Sequence, residues 1–262
     1  QDEQGFLGES IISALFTDRL GMLWIGTYGG GISLYDPAHQ IFINEEIDPI
    51  FRKSLESSFV QCIYESKDSV VWVGTESSGL RFWDRKTGEI GQLIANGREG
   101  QSISSNHVED IIEDEDGNLW FGTFNGGLSQ YNHRKDFISF FKSTGGYDLP
   151  NDNIIRFMHK GPSGNIWIGT NEGMRRLRKD ENGNTQVLEL DENFKELRDL
   201  LEGVVILSIL EDSKGNLWVG TENAGLIRWQ ISEKKLAQFK TDVRNDFGIN
   251  SNSIWTLYED QA

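Results

Sequence analysis

Five times the chain runs through Gly-Thr and then presents side chains able to touch a ligand. They are Tyr28; Glu76 and Ser77; Phe124 and Asn125; Asn171 and Glu172; and Glu222 and Asn223. Their types suit binding: an aromatic ring stacks on a flat apolar face such as that of a sugar, and Asn or Glu accepts hydroxyl hydrogens. They differ from copy to copy while the residues just before them do not, as expected of ligand-facing loops on a rigid frame. The alternative is solvated hairpin turns, with Asn and Gly chosen for backbone reasons.

Other chemistries find less support. His39, His107, His133 and His159 show no local metal-ligand spacing. His159 stands where other repeats carry Phe16, Tyr64, Ile112 and Leu210, which predicts a half-buried, hydrogen-bonded ring. Cys62, the single cysteine, lies in the apolar run Val60-Gln61-Cys62-Ile63-Tyr64 and reads as a small core residue. The stretches 114–118 and 211–216 resemble part of a calcium loop, but apolar strand follows where a bidentate acid is needed, so turn formation is the expectation. Gly-rich phosphate loops and nucleophile elbows are absent. Paired carboxylates are too common in so acidic a chain to carry information. No catalytic residue, metal or cofactor is therefore expected.

The elements that position these residues come from a repeat. The pentad apolar-Trp-apolar-Gly-Thr recurs with Trp24, Trp72, Trp120, Trp167 and Trp218, followed by Gly26, Gly74, Gly122, Gly169 and Gly220. The tryptophans are spaced by 48, 48, 47 and 51 residues, a period that marks a repeat architecture. Five copies in five units make the pentad a fold signature. The indole fills space between units, the Gly admits a neighbouring backbone or ring, and the Thr hydroxyl bonds a turn.

Between Asn106 and Ser143 the third unit reads as four short strands. These are 107–114, 119–124, 128–131 and 136–142, with turns at 115–118, 125–127 and 132–135. Four antiparallel strands in a unit of this length predict one propeller blade. Blades are covered on both faces, so inner strands should read as apolar runs. Twelve residues before each Trp stand Ile12, Val60, Val108, Ile155 and Ile206; nine before stand Leu15, Ile63, Ile111, Met158 and Ile209. All are predicted core.

The units span about 9–57, 58–104, 105–151, 152–203 and 204–250, in a single β-propeller region covering 1–262. In unit one the Ile50-Phe51 pair after Pro49 is expected to dock on the body. Unit two lacks the Asp-x-Gly-Asn turn, carrying Lys67-Asp68-Ser69-Val70 instead, so its turn is expected to differ. Unit four holds the one helical pattern, with Asp191 as cap, Phe194, Leu197, Leu200 and Leu201 on one face, and Gly203 as stop. Residues 251–262 match the first strand of a sixth unit. Five repeats plus one strand predict an arc of a larger propeller, with apolar end faces prone to self-association.

The chain of 262 residues has a net charge of −16 and is 37% hydrophobic. That suits a globular core, and it opposes binding to nucleic acid or to an anionic membrane surface. No apolar run reaches the roughly 18 residues of a membrane span, so direct insertion is not expected.

The run Asp116-Gly117-Asn118-Leu119-Trp120-Phe121-Gly122-Thr123-Phe124-Asn125-Gly126-Gly127-Leu128-Ser129-Gln130-Tyr131 resembles the two-component regulator propeller repeat. So does Ser213-Lys214-Gly215-Asn216-Leu217-Trp218-Val219-Gly220-Thr221-Glu222-Asn223-Ala224-Gly225-Leu226. The resemblance extends over the whole chain and is weakest in unit two. It implies seven-bladed propellers, often in tandem, forming the periplasmic sensor region of membrane-bound histidine kinases. It also implies an oligosaccharide or other small ligand, pairing as a homodimer, and further blades, a β-sandwich, a membrane helix and a signalling domain in the parent protein. The expectation is a non-enzymatic, periplasmic sensing region. The alternatives are a propeller enzyme acting on glycans (lyase or glycosidase) and a protein-interaction scaffold.

Overall fold

The computed structural model describes residues 11–56, 58–96, 100–132, 137–141, 153–179, 185–242 and 248–260. Each repeat folds into one four-stranded antiparallel sheet whose strand order follows the chain. The first blade is β1 (Ile12–Thr17), β2 (Leu23–Thr27), β3 (Ile32–Asp36) and β4 (Ile41–Phe42). The second is β5 (Val60–Glu65), β6 (Val70–Thr75), β7 (Leu80–Asp84) and β8 (Ile90–Leu93). The third is β9 (Val108–Glu113), β10 (Leu119–Thr123), β11 (Gly127–Asn132) and β12 (Phe137–Phe141). The fourth is β13 (Ile155–Lys160), β14 (Ile166–Thr170), β15 (Gly173–Lys179) and β16 (Thr185–Glu189). The fifth is β17 (Ile206–Glu211), β18 (Asn216–Thr221), β19 (Leu226–Gln230) and β20 (Lys235–Phe239). Five such sheets make the all-β propeller architecture that the repeat predicts. The predicted turn around His133 and the connection at 142–152 lie outside the described residues.

The chain divides into two compact units, residues 1–124 with 129–140 and residues 125–128 with 141–262. In the first, β1, β5 and β9 are successive neighbours; in the second, β13 neighbours β17. Each first strand slips register against its second strand at one place, the bulge residues being Ser13, Gln61, Glu109, Arg156 and Leu207. Such a bulge bends the strand and re-aims the extra side chain.

The pentad's roles are visible atom by atom. The indole N–H of Trp24, Trp120 and Trp218 donates to Asp18, Asp114 and Asp212 at 3.0, 3.0 and 2.8 Å. The other oxygen of each acid accepts backbone N–H groups of its own turn. Asp114 and Asp212, the leading acids of the calcium-like stretches, are thus spent on the turn and the indole. Thr27, Thr75, Thr170 and Thr221 each donate to a carbonyl in their own following hairpin.

The glycines admit a side chain of the next blade. A Cβ on Gly26 would stand 2.5 Å from Val60, on Gly74 3.0 Å from Val108, and on Gly169 2.7 Å from Ile206. A second link runs backwards from the end of the first strand. Glu65 accepts from the Arg19 backbone N–H, and Glu113 from that of Lys67. Glu211 accepts from the Ser163 hydroxyl.

Six expectations are corrected. The turn of unit two keeps the common backbone: Ser66 N–H bonds the Val70 carbonyl as Asp114 N–H bonds that of Asn118, and Ser69 takes the left-handed φ of 74° that the other turns give to glycine. The connection after unit one holds a helix, α1 (Pro49–Ser54), capped by Asp48 and started by Pro49. Its apolar pair splits, Phe51 being fully buried and Ile50 71% exposed. Ile12 and Leu15 are not core but 47% and 62% exposed, whereas Val60 and Ile63 are buried, because no described residue packs over β1 as β1 packs over β5. Trp218 is half-buried where the other four indoles are buried. Residues 251–260 form no ladder. They do take the place of a first strand: Ile254 sits over Gly220, its N–H bonds the Thr221 carbonyl, and Glu259 accepts from Ser213. Trp72 lies against Phe121 and Tyr131 from the second and third strands of the following blade; among the described residues no such strands follow the fifth blade.

The insertion behaves as predicted. Asp191 caps a short 3-10 turn leading into α2 (Lys195–Leu201), and Phe194, Leu197 and Leu201 enter the core beside Trp167 and Trp229.

Candidate functional site

In four of the blades the residue after Gly-Thr is held by its own blade. Backbone N–H groups of Tyr28, Glu76, Phe124 and Glu222 donate to the carbonyls of Ile11, Phe59, His107 and Val205, the residues just before or at the approach to each first strand. Rim and first strand are therefore one rigid piece.

Two predicted residues meet. The Tyr28 phenol donates to Glu76 Oε2 at 3.0 Å. Tyr28 also bridges Phe59, their rings stacked at 4.2 Å and 6°. The Phe59 backbone carbonyl in turn accepts the Glu76 backbone N–H at 2.9 Å, so three residues from two blades are tied together by two side-chain contacts and one main-chain bond. Both residues are 39% exposed. The hydrogen bond to Glu76 holds the Tyr28 phenol above its ordinary range, with burial and the carboxylate charge adding to it. Tyr28 is thus a hydrogen-bond donor and apolar platform rather than a base near neutral pH.

A second stacked pair, His107 on Phe124 at 5.0 Å and 19°, stands in the same unit. The bulge sets Glu109 within 3.3 Å of His107 Nε2. In the other unit, the bulge residue Arg156 donates from Nε to Asn171 Oδ1 at 2.8 Å. Glu172 lies apart from Asn171, in a pocket of about 170 Å³ shared with Arg175, Glu189 and Arg198 beneath α2. Ser77, Glu222 and Asn223 are exposed at hairpins and meet no other candidate side chain. Asn125 takes a left-handed φ of 61°, which is backbone work.

Phe59, Glu109 and Arg156 were not legible as site residues. Phe59 carries a sequence signal, an aromatic one place before a strand whose first residue is core. The bulge residues carry none, because a register slip is a property of the ladder.

His159 is half-buried as predicted, with burial pushing its imidazole down against the opposing pull of Glu211. Cys62 rests on Gly74 and against Val108, and burial pushes its thiol well up. Neither is placed to act as a nucleophile or a neutral-pH acid.

Residues 5–29, 54–77, 102–125 and 199–223 match the family described as two component regulator propeller. No curated protein sequence matches the chain. Among solved structures, the extracellular domain of the putative one component system BT4673 from B. thetaiotaomicron aligns at TM-score 0.74 and 20% identity, over 99% of this chain and 32% of that one. The extracellular domain of the putative hybrid two component system BT3049 from the same organism aligns at TM-score 0.68 and 26% identity, over 89% and 29%. A catalytically inactive virginiamycin B lyase from Staphylococcus aureus aligns at 0.61 and 17%, over 92% and 73%; that likeness is one of fold. The chain spans about a third of the two extracellular domains.

Proposed function

We propose, from the premise that this chain is built of two-component regulator propeller repeats, that it is part of an extracytoplasmic sensing region that binds a small ligand on its variable rim. The ligand class that the rim chemistry favours is an oligosaccharide. The observation that carries this is the Tyr28–Phe59–Glu76 group. Two part-exposed rings stacked face to face leave apolar ring surface in solvent, and a carboxylate beside them accepts hydroxyl hydrogens. Among the described residues no helix is long and apolar enough to cross a membrane; in this reading the membrane helix and signalling domain lie elsewhere in the parent protein. Capture of the ligand shifts the placement of paired sensor chains and so the signalling equilibrium.

Calorimetric titration with a panel of neutral and acidic oligosaccharides tests the reading. One member should bind saturably without being cleaved, and Tyr28→Ala or Phe59→Ala should weaken it at least tenfold. Binding indifferent to both substitutions would place the ligand elsewhere, and turnover of the ligand would favour the glycan-cleaving enzyme.

A further inference from the structure

The fourth blade carries a pocket of about 170 Å³ between its β14–β15 hairpin, the end of β16 and α2. Every lining residue is described, and all belong to the second compact unit. The lining holds both signs of charge, Glu172, Glu189 and Glu202 against Arg175 and Arg198.

The second and fifth blades show what ordinarily closes this place. In the second, Gln92 stands across the ladder from Arg81 and accepts from its Nη1 at 2.7 Å. The same amide donates from Nε2 to the Ser78 carbonyl at 2.8 Å. In the fifth, Gln238 stands across from Ile227 and donates to the Ala224 carbonyl at 2.9 Å. The Gln amide thus ties the fourth strand to the hairpin between strands two and three. In the fourth blade the corresponding ladder place, opposite Arg175, is held by Glu189. An ionised carboxylate accepts and cannot donate. The carbonyl of Glu172, which like Ser78 and Ala224 precedes the hairpin glycine, therefore receives no such bond from the fourth strand.

The guanidinium groups are oriented by the pocket's own walls. Arg175 Nη1 donates to the Met174 carbonyl at 2.6 Å, and Arg198 Nη1 to the Leu190 carbonyl at 2.9 Å. The acids that Arg198 meets, Glu192 at 3.3 Å and Asp199 at 3.6 Å, are 80% and 57% exposed, so those pairs are screened by water and weak. A carboxylate entering the pocket can take the Arg198 fork with charge-assisted bonds. Among the described residues, the carboxylates of Glu172, Glu189 and Glu202 enter no hydrogen bond or ion pair. The pocket thus asks for a ligand with a donor of positive charge and an acceptor of negative charge. Its volume is several times the roughly 30 Å³ that one water takes in the liquid, and it lies below the range of drug-sized ligands.

We propose that this pocket binds a small zwitterionic α-amino acid. The ammonium donates to Glu189 and to the Glu172 carbonyl, supplying the bond that the Gln amide makes in the second and fifth blades. The carboxylate accepts from Arg198. The proposal does not rest on the oligosaccharide reading, since Tyr28 and Phe59 belong to the other compact unit. Calorimetric titration with L-alanine, ethylammonium and propionate at one fixed ionic strength tests it. L-Alanine should bind one to one, at least tenfold more tightly than either singly charged analogue. Glu189→Gln rebuilds the amide tie, so this variant should melt no lower than the parent and bind L-alanine at least tenfold more weakly. Arg198→Gln should also weaken L-alanine at least tenfold, in protein shown to be folded by circular dichroism. No saturable binding at millimolar concentration, equal affinity for a singly charged analogue, or indifference to either substitution would overturn the site.

Discussion

Gly161 stands against the carboxylate of Glu211. A Cβ on Gly161 would lie 2.0 Å from Glu211 Oε2, the oxygen that accepts the Trp167 indole N–H at 2.7 Å. In the first, third and fifth blades an Asp occupies the place of Gly161 and serves its own indole. The fourth blade borrows the acid from its neighbour, and the glycine makes room for it. Gly161→Ala should therefore displace Glu211, leave a buried indole N–H unpaired and cost roughly 2 kcal/mol. In a double-mutant cycle, Gly161→Asp with Glu211→Ala should be less destabilised than the sum of the single changes, since the Asp restores the local pattern. Additive losses in denaturant unfolding would show that the two residues are not coupled in this way.

The tail at 251–260 is held by Ile254 over Gly220 and by Glu259 on Ser213. Ile254→Asp should detach it, exposing Trp218, whose ring otherwise stacks on Phe239 and lies under Arg228. Trp218 emission should shift to the red and amide exchange across 251–260 should accelerate, with little change in the first unit. An unchanged exchange pattern would mean that the tail contributes no protection.

Burial holds the His159 imidazole below its ordinary value of 6.5, outweighing the Glu211 backbone bond and charge. Between the folded-state value and about pH 6.5, the unfolded chain binds more protons than the native one. Stability contributed by the neutral ring is complete above that window and falls as pH drops through it. His159→Phe, which matches Phe16 in the first blade, should flatten the loss of melting temperature between about pH 7 and about pH 5. Parallel curves for the two proteins would rule out His159 as a source of the acid sensitivity.

Ile12 and Leu15 present to solvent the face that Val60 and Ile63 bury against a neighbouring blade. Exposed apolar patches of this kind drive association. Sedimentation should show concentration-dependent self-association that Leu15→Lys abolishes. A chain that stays monomeric at millimolar concentration without the substitution would contradict this.

Cys62 should react slowly. Burial raises its thiol, and its sulfur faces Val108 of the next blade. Native-state labelling should proceed only on unfolding, at a rate that follows denaturant; rapid labelling of the folded protein would show an open junction.

How much of this was readable in advance depended on range. The pentad, its period and the residues twelve and nine places before each Trp specify strands, turns and the blade, because hydrogen bonds within a blade join residues close in sequence. The helix at 49–54 is also written locally, in the Asp48 cap and Pro49 at its first position. The rim positions were legible as variable places on a constant frame. That Tyr28 would reach Glu76, and that Phe59 would complete the pair, was not, since those contacts join different blades.

The sequence by itself determined a row of like blades with their indoles, glycines and Thr hydroxyls in assigned roles, since each role is satisfied within about one repeat length. Only the tertiary structure decided which apolar residues are covered and which carboxylate serves which indole. It also decided where a cavity remains. Those outcomes depend on the blade next door, and a repeat pattern that is the same for every unit carries no record of which neighbour is present or how a substitution in one is answered in the other.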